Sequence, residues 1–152
     1  MTTIYRIAKA RHAATAFSGE GAQRAGGRWN VPGEPVVYCS SSLSLAALEI
    51  FVHVGEEGRT ISFVFFEAVI PSGMRIESLS RLPKGWREEP PGEASMEVGS
   101  RWFREMRSAA LTVPSAAVPQ ESNILLNPLH PDFARIAISK PKPFSFDPRI
   151  WK

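Results

Sequence analysis

The clearest run of apolar positions in the chain is T-I-S-F-V-F-F-E-A-V-I, residues 60–70. In an extended chain Ile61, Phe63 and Phe65 share one face while Val64, Phe66, Ala68 and Ile70 share the other, which predicts a central strand covered on both sides. Briefer runs at 5–8 and 36–39 predict two more strands. Residues 43–54 are apolar at almost every position, the pattern of a helix, and a helix apolar nearly all round is expected to be buried. Ser40, Ser41 or Ser42 can cap its first turn, and Gly55 and Gly58 end it. Residues 95–107 carry Met96, Val98, Trp102, Phe103 and Met106 at helical spacing and predict an amphipathic helix. Five short strand candidates follow at 110–113, 117–118, 123–126, 134–139 and 143–146, separated by prolines. Residues 13–30 read as a long ordered loop and 82–93 as an exposed one. The sum is an α+β fold: one compact domain over 1–152, with short-stranded mixed sheets, few helices and no regular βαβ alternation.

Composition narrows the picture. A chain of 152 residues can bury a core without staples, and its 13 prolines and 11 glycines are scattered through it as turns rather than gathered in a low-complexity tract. The net charge of +3 suits an anionic small ligand or an acidic partner, and falls short of the clustered basic footprint of a dedicated nucleic-acid binder. Cys39 is the only cysteine, so no internal disulfide can form, and a reducing compartment is expected. The first residues lack the apolar core of a signal peptide, and the greasy runs near 45–54 and 60–70 are too short to span a bilayer. A cytoplasmic protein is the expectation, with no membrane partner.

Glu49 is the position that most demands a chemical reason. Leu45, Ala46, Leu48, Ile50 and Val52 surround it on the predicted helix, and an unpaired buried carboxylate costs several kcal/mol. It therefore needs a partner or a task. The structural alternative is a bond to His53, four residues on, or to an arginine. Arg28 follows Gly26-Gly27, where the backbone can approach a ligand closely, and its guanidinium suits phosphate or pyrophosphate. Trp29 beside it offers a flat face for a ring; the plain alternative is a turn in which arginine packs on tryptophan. No phosphate-loop motif, nucleophile elbow or metal-ligand spacing of His12, His53, His130 and Cys39 is present. Ser115 stands between prolines in P-S-A-A-V-P, a rigid way to present a hydroxyl, with an ordinary turn serine as the alternative. In N-P-L-H-P, Asn127 and His130 are expected to tie down loop backbone.

Taken in order, F-S-G-E-G-A (17–22), G-G-R-W-N (26–30), V-V-Y (36–38), L-A-A-L-E (45–49) with His53, V-P-S-A-A-V-P (113–119), N-I-L-L-N-P-L-H-P-D-F (123–133) and F-D-P-R (146–149) span nearly the whole chain. This series resembles the RES-domain family, the toxin half of RES–Xre toxin–antitoxin pairs. Residues 71–100 carry none of it and read as a variable region.

The resemblance implies a fold similar to ADP-ribosyltransferases and NAD as substrate, with no metal. It implies cleavage of the nicotinamide–ribose bond by hydrolysis or phosphorolysis, or ADP-ribosylation of a protein, and growth arrest until an Xre-like helix-turn-helix antitoxin covers the site. The family's arginine and glutamate fall on Arg28 and Glu49, and its serine on Ser115 by motif position, with Ser40–Ser42 as the other placement. Under it, Glu49 stabilises the ribose cation, Arg28 clamps the pyrophosphate, Trp29 and Tyr38 shape the ring pocket, and Ser115 orients the ribose or the acceptor. A non-catalytic regulatory or nucleic-acid-binding module is the competing reading, supported only by the basic balance and four tryptophans.

Overall fold

The computed structural model describes all residues, 1–152. Eight strands make one sheet: β1 (Thr2–Lys9), β2 (Val37–Ser40), β3 (Phe63–Ile70), β4 (Ile76–Ser78), β5 (Ala110–Pro114), β6 (Ser122–Leu126), β7 (Ala137–Ile138) and β8 (Lys142–Phe144). Their order is β4-β5-β6-β2-β1-β3-β7, with β8 also paired to β3. Only β4 and β5 run parallel, joined through α3 (Glu93–Arg104); every other pair is antiparallel. With α1 (Glu20–Ala25) and α2 (Leu43–Val54), three helices serve eight strands, which is the expected α+β class.

The period-2 pattern explains both faces. Ile4, Ala68, Ile70, Val37, Cys39, Ala110, Ile124 and Leu126 make the largest core cluster on one side. On the other side Ile7 and Phe63 pack under Ala46 of α2, and Leu111, Val113 and Leu125 pack under Trp102 and Phe103 of α3. β3 lies between β1 and β7/β8 with apolar contacts on both faces, as its alternation requires. Asn127 and His130 do tie down backbone: Asn127 Oδ1 accepts from Leu129 N–H at 2.9 Å, and His130 Nδ1 from Asp132 N–H at 3.0 Å.

One pairing is short. β1 pairs with β3 at eight successive positions but with β2 only at Tyr5 opposite Ser40. The two strands therefore part company on either side of that point, and the opening between them becomes the floor of a cleft.

Three expectations are corrected, and one stretch without an assigned element gains a strand. Residues 13–30 are not all loop, since the 20–25 segment winds into α1 between Gly19 and Gly26, both at positive φ. The 117–118 strand is absent; that segment turns around the Ser115 hydroxyl. Residues 71–81, left unassigned by pattern, contribute β4. And α2 is an outer helix: only Leu45 and Ala46 are buried, while Leu48 and Val52 stand 37% and 64% exposed. Its apolar character serves the sheet below and the C-terminal tail at one side, where Phe51 packs against Phe146 and Trp151, and no layer covers the rest.

Candidate active site

The cleft between β1 and β2 has a volume of about 550 Å³, within the range of small-molecule pockets. β1 supplies Tyr5, Arg6 and Lys9, β2 supplies Tyr38 and Ser40, α1 and the following glycines form one wall, and Glu49 and His53 of α2 form another.

Glu49 reaches it because Ser42 starts the helix at the right place. The Ser42 hydroxyl accepts from Leu45 N–H at 3.1 Å, and Gly55 ends the helix at φ 59°. Both carboxylate oxygens are held. Ser115 Oγ donates to Oε1 at 2.9 Å, and Asn123 Nδ2 donates to Oε2 at 3.0 Å. Ser115 is itself anchored, since its oxygen accepts from the N–H groups of Ala117 and Val118 at 3.1 and 3.0 Å. Neither structural alternative, a bond to His53 or to an arginine, is made; His53 is exposed at the cleft edge. These two hydrogen bonds leave the remaining lone pairs of the carboxylate for a ligand.

Ser115 and the Ser40–Ser42 run, rival placements for one serine, converge on the same carboxylate. Ser115 binds it directly, and Ser40 Oγ bonds Asn123 Oδ1 at 2.8 Å. Ser115 is fully buried behind Glu49 and does not line the cleft, so its hydroxyl addresses the carboxylate rather than a bound sugar.

The G-G-R-W-N segment is a tight turn closed by Gly27 N–H to Asn30 C=O at 3.0 Å. A side chain on Gly27 would place its Cβ 2.7 Å from Tyr38 Oη, so only glycine fits against that ring. The tyrosine hydroxyl accepts from Trp29 N–H at 3.0 Å and donates to Asn30 Oδ1 at 2.8 Å. Burial raises the Tyr38 pKa well above the ordinary phenol value, so the hydroxyl stays a donor. Trp29 does not face the cleft: its ring lies in the core, 2% exposed and stacked on Trp86. Tyr38 lines the cleft and Trp29 supports it from beneath.

Arg28 lines the cleft but its guanidinium is already engaged. Nη1 donates to the carbonyls of Trp86 and Glu88, the former at 3.0 Å and the latter at 2.6 Å, and Nη2 pairs with Glu89 at 2.8 Å. The irregular 82–93 stretch, unmarked in the sequence, is thus the strap that holds the motif's arginine.

Arg6 is the residue that sequence reading missed. Its Nε donates to Ala16 C=O at 2.6 Å and its Nη1 to Tyr38 C=O at 2.8 Å. The second bond crosses the gap between β1 and β2 and satisfies a carbonyl that the interrupted ladder leaves open. Arg6 makes no ion pair, and burial lowers its pKa from the usual value, partly offset by Cys39. Nη2 is left without a protein partner, in a cleft to which Lys9, Arg24 and Arg28 bring positive charge against Glu20 and Glu49. Such a cleft suits a large anion. No cluster of three metal-ligating side chains occurs.

The RES domain profile matches residues 3–147. The chain is 40% identical to Toxin Res of Photorhabdus laumondii over 98% of this chain and 97% of that one. It is 40% identical to the Prs ADP-ribosylating toxin of a Sphingobium species over 98% and 96%. Toxin Res of Yersinia enterocolitica is 38% identical over 97% and 98%.

Proposed function

The chain belongs to the RES domain family, and we propose that its cleft binds NAD and breaks the bond between nicotinamide and ribose, the reaction of a growth-arresting toxin. The observation that carries the reading is Glu49, a carboxylate fixed by Ser115 and Asn123 at the wall of a basic cleft of dinucleotide size. When nicotinamide leaves it takes the electron pair of the C–N bond, and positive charge develops on the ribose ring. A carboxylate already oriented and partly desolvated stabilises that charge without having to reorganise. An oxygen acceptor then supplies the new electron pair to the same carbon and loses its proton.

Arg6 is the better-placed grip for the pyrophosphate, because its charge has no internal counter-ion. Arg28 contributes at the lip once Glu89 gives way. Tyr38 shapes the floor, and Ser115 acts through Glu49. No metal has a role in this scheme.

Hydrolysis or phosphorolysis of NAD is the first reading of the acceptor. Transfer of ADP-ribose to a protein is the second, and the name of the Sphingobium relative favours it. An antitoxin of the Xre-like helix-turn-helix kind is the proposed partner. A protein closing the cleft beside α2 would meet the exposed Leu48 and Val52, apolar surface that a partner would bury.

The test is nicotinamide release from NAD by purified protein, with and without phosphate, alongside transfer of labelled ADP-ribose to a cell extract. Release that depends on phosphate, release without it, or label on protein each identifies the acceptor. No release and no label would sink the proposal.

A further inference from the structure

We infer that Asn123 is a positioning residue for Glu49 and that Ser40 holds Asn123 in place for that task; the inference rests on the reading of the cleft as an NAD-cleaving site. A side-chain amide has one face that donates and one that accepts, and an ionised carboxylate only accepts. Turned the wrong way, Asn123 would set its oxygen against Glu49 and repel it. The acceptor-only carboxylate of Glu49 therefore fixes which end of the amide faces it, and that orientation is supported from the other end by Ser40. Its hydroxyl lies 2.8 Å from Asn123 Oδ1 and donates to it, which leaves Nδ2 for Glu49 Oε2 at 3.0 Å.

The sheet register makes this arrangement. Ser40 and Asn123 are directly opposed in the β2–β6 pair, so both side chains leave the same face. Both are nearly buried, 4% and 7% exposed, and in such surroundings hydrogen bonds among charged and polar groups are stronger than in water. Ser115 holds the other oxygen from the end of β5. With one oxygen fixed from β5 and the other from β6, the plane of the carboxylate cannot rotate on its helix. The ribose carbon then meets a carboxylate in one orientation, which is a contribution to rate rather than to substrate affinity.

The experiment is steady-state nicotinamide release from NAD by the full chain, comparing wild type, Asn123→Ala, Ser40→Ala and the double variant. Asn123→Ala should lower kcat about 10–100-fold with KM within about threefold, as expected when orientation rather than binding is lost. Ser40→Ala should lower kcat less, and the double variant should be no slower than Asn123→Ala, because Ser40 acts only through Asn123. Asn123→Asp keeps the side chain's shape and carries the same test should the alanine variant fail to fold; it should lose at least as much kcat. Thermal unfolding of each variant separates misfolding from misorientation. Active wild type with additive losses, or with KM raised and kcat unchanged in Asn123→Ala, overturns this inference alone. Inactive wild type overturns the reading of the cleft and this inference with it.

Discussion

The Arg28 guanidinium and the Glu89 carboxylate stand 2.8 Å apart, the first 15% and the second 77% exposed, so an anion already occupies the arginine that the motif singles out. Glu89 is the part of that clasp that can leave, since the two carbonyls on Nη1 belong to the backbone of the same strap. An incoming pyrophosphate would have to displace it.

Glu89→Ala should therefore lower KM for NAD, by up to about fivefold if removing one competing pair is worth the ~0.2–1 kcal/mol of exposed ion pairs. The thermal midpoint should barely move. A higher KM would mean that Glu89 positions Arg28 instead of competing for it.

Glu49→Gln keeps size and removes charge. We expect kcat for nicotinamide release to fall about 100-fold or more, in line with loss of an electrostatic group at a developing charge. The fold should survive, with a cost of ~1 kcal/mol where one hydrogen bond must be remade. Growth arrest on expression should be relieved; arrest at wild-type strength would remove Glu49 from the mechanism.

Arg6 joins stability to binding. Arg6→Ala strips the partner from the carbonyls of Ala16 and Tyr38, a loss of ~1–3 kcal/mol for each one left unsatisfied away from water. Arg6→Lys keeps the charge without the fork and should still bind NAD less tightly, read as a raised KM or a weaker calorimetric Kd. Lysine at wild-type affinity would show that the fork is not used.

Cys39 offers a probe of global unfolding. It is 2% exposed, and burial pushes its thiol up to about 12 from 9.0, partly offset by Arg6. At pH 8 a thiol reagent should label the native protein only through unfolding, because the thiolate is the reacting form. The sign for stability follows: the unfolded thiol ionises first, so this residue's contribution holds below pH 9 and is lost as pH climbs towards 12. Fast labelling of native protein would contradict the burial.

Much of the molecule was legible in the sequence where the signal is local. The 60–70 alternation yielded β3, the serine and glycine brackets yielded α2 almost to the residue, and N-P-L-H-P yielded its turn. Glu49 and Ser115, 66 residues apart, stood out separately and prove to be bonded. What escaped depends on distant partners. Arg6 alternates along β1 like any strand side chain, and nothing in Y-R-I-A says that β2 pulls away beside it. Asn123 gains meaning only from the register that sets it opposite Ser40. Trp29 beside Arg28 looked like a ring platform, but adjacent residues in a tight turn point to opposite sides, one to the cleft and one to the core. The six residues of α1 were hidden by Gly21, which weakens the helix signal in so short a segment.

The single pairing position between β1 and β2 has a consequence for any attempt to make this protein sturdier. Hydrogen bonds added along those two strands would firm the sheet by closing the gap that Arg6 now bridges. Stabilising substitutions are therefore safe on the β1–β3 side and hazardous on the β1–β2 side. Robustness and ligand capacity compete there for the same stretch of backbone, and a variant with a fully zipped sheet would be a firmer molecule with nowhere to put its substrate.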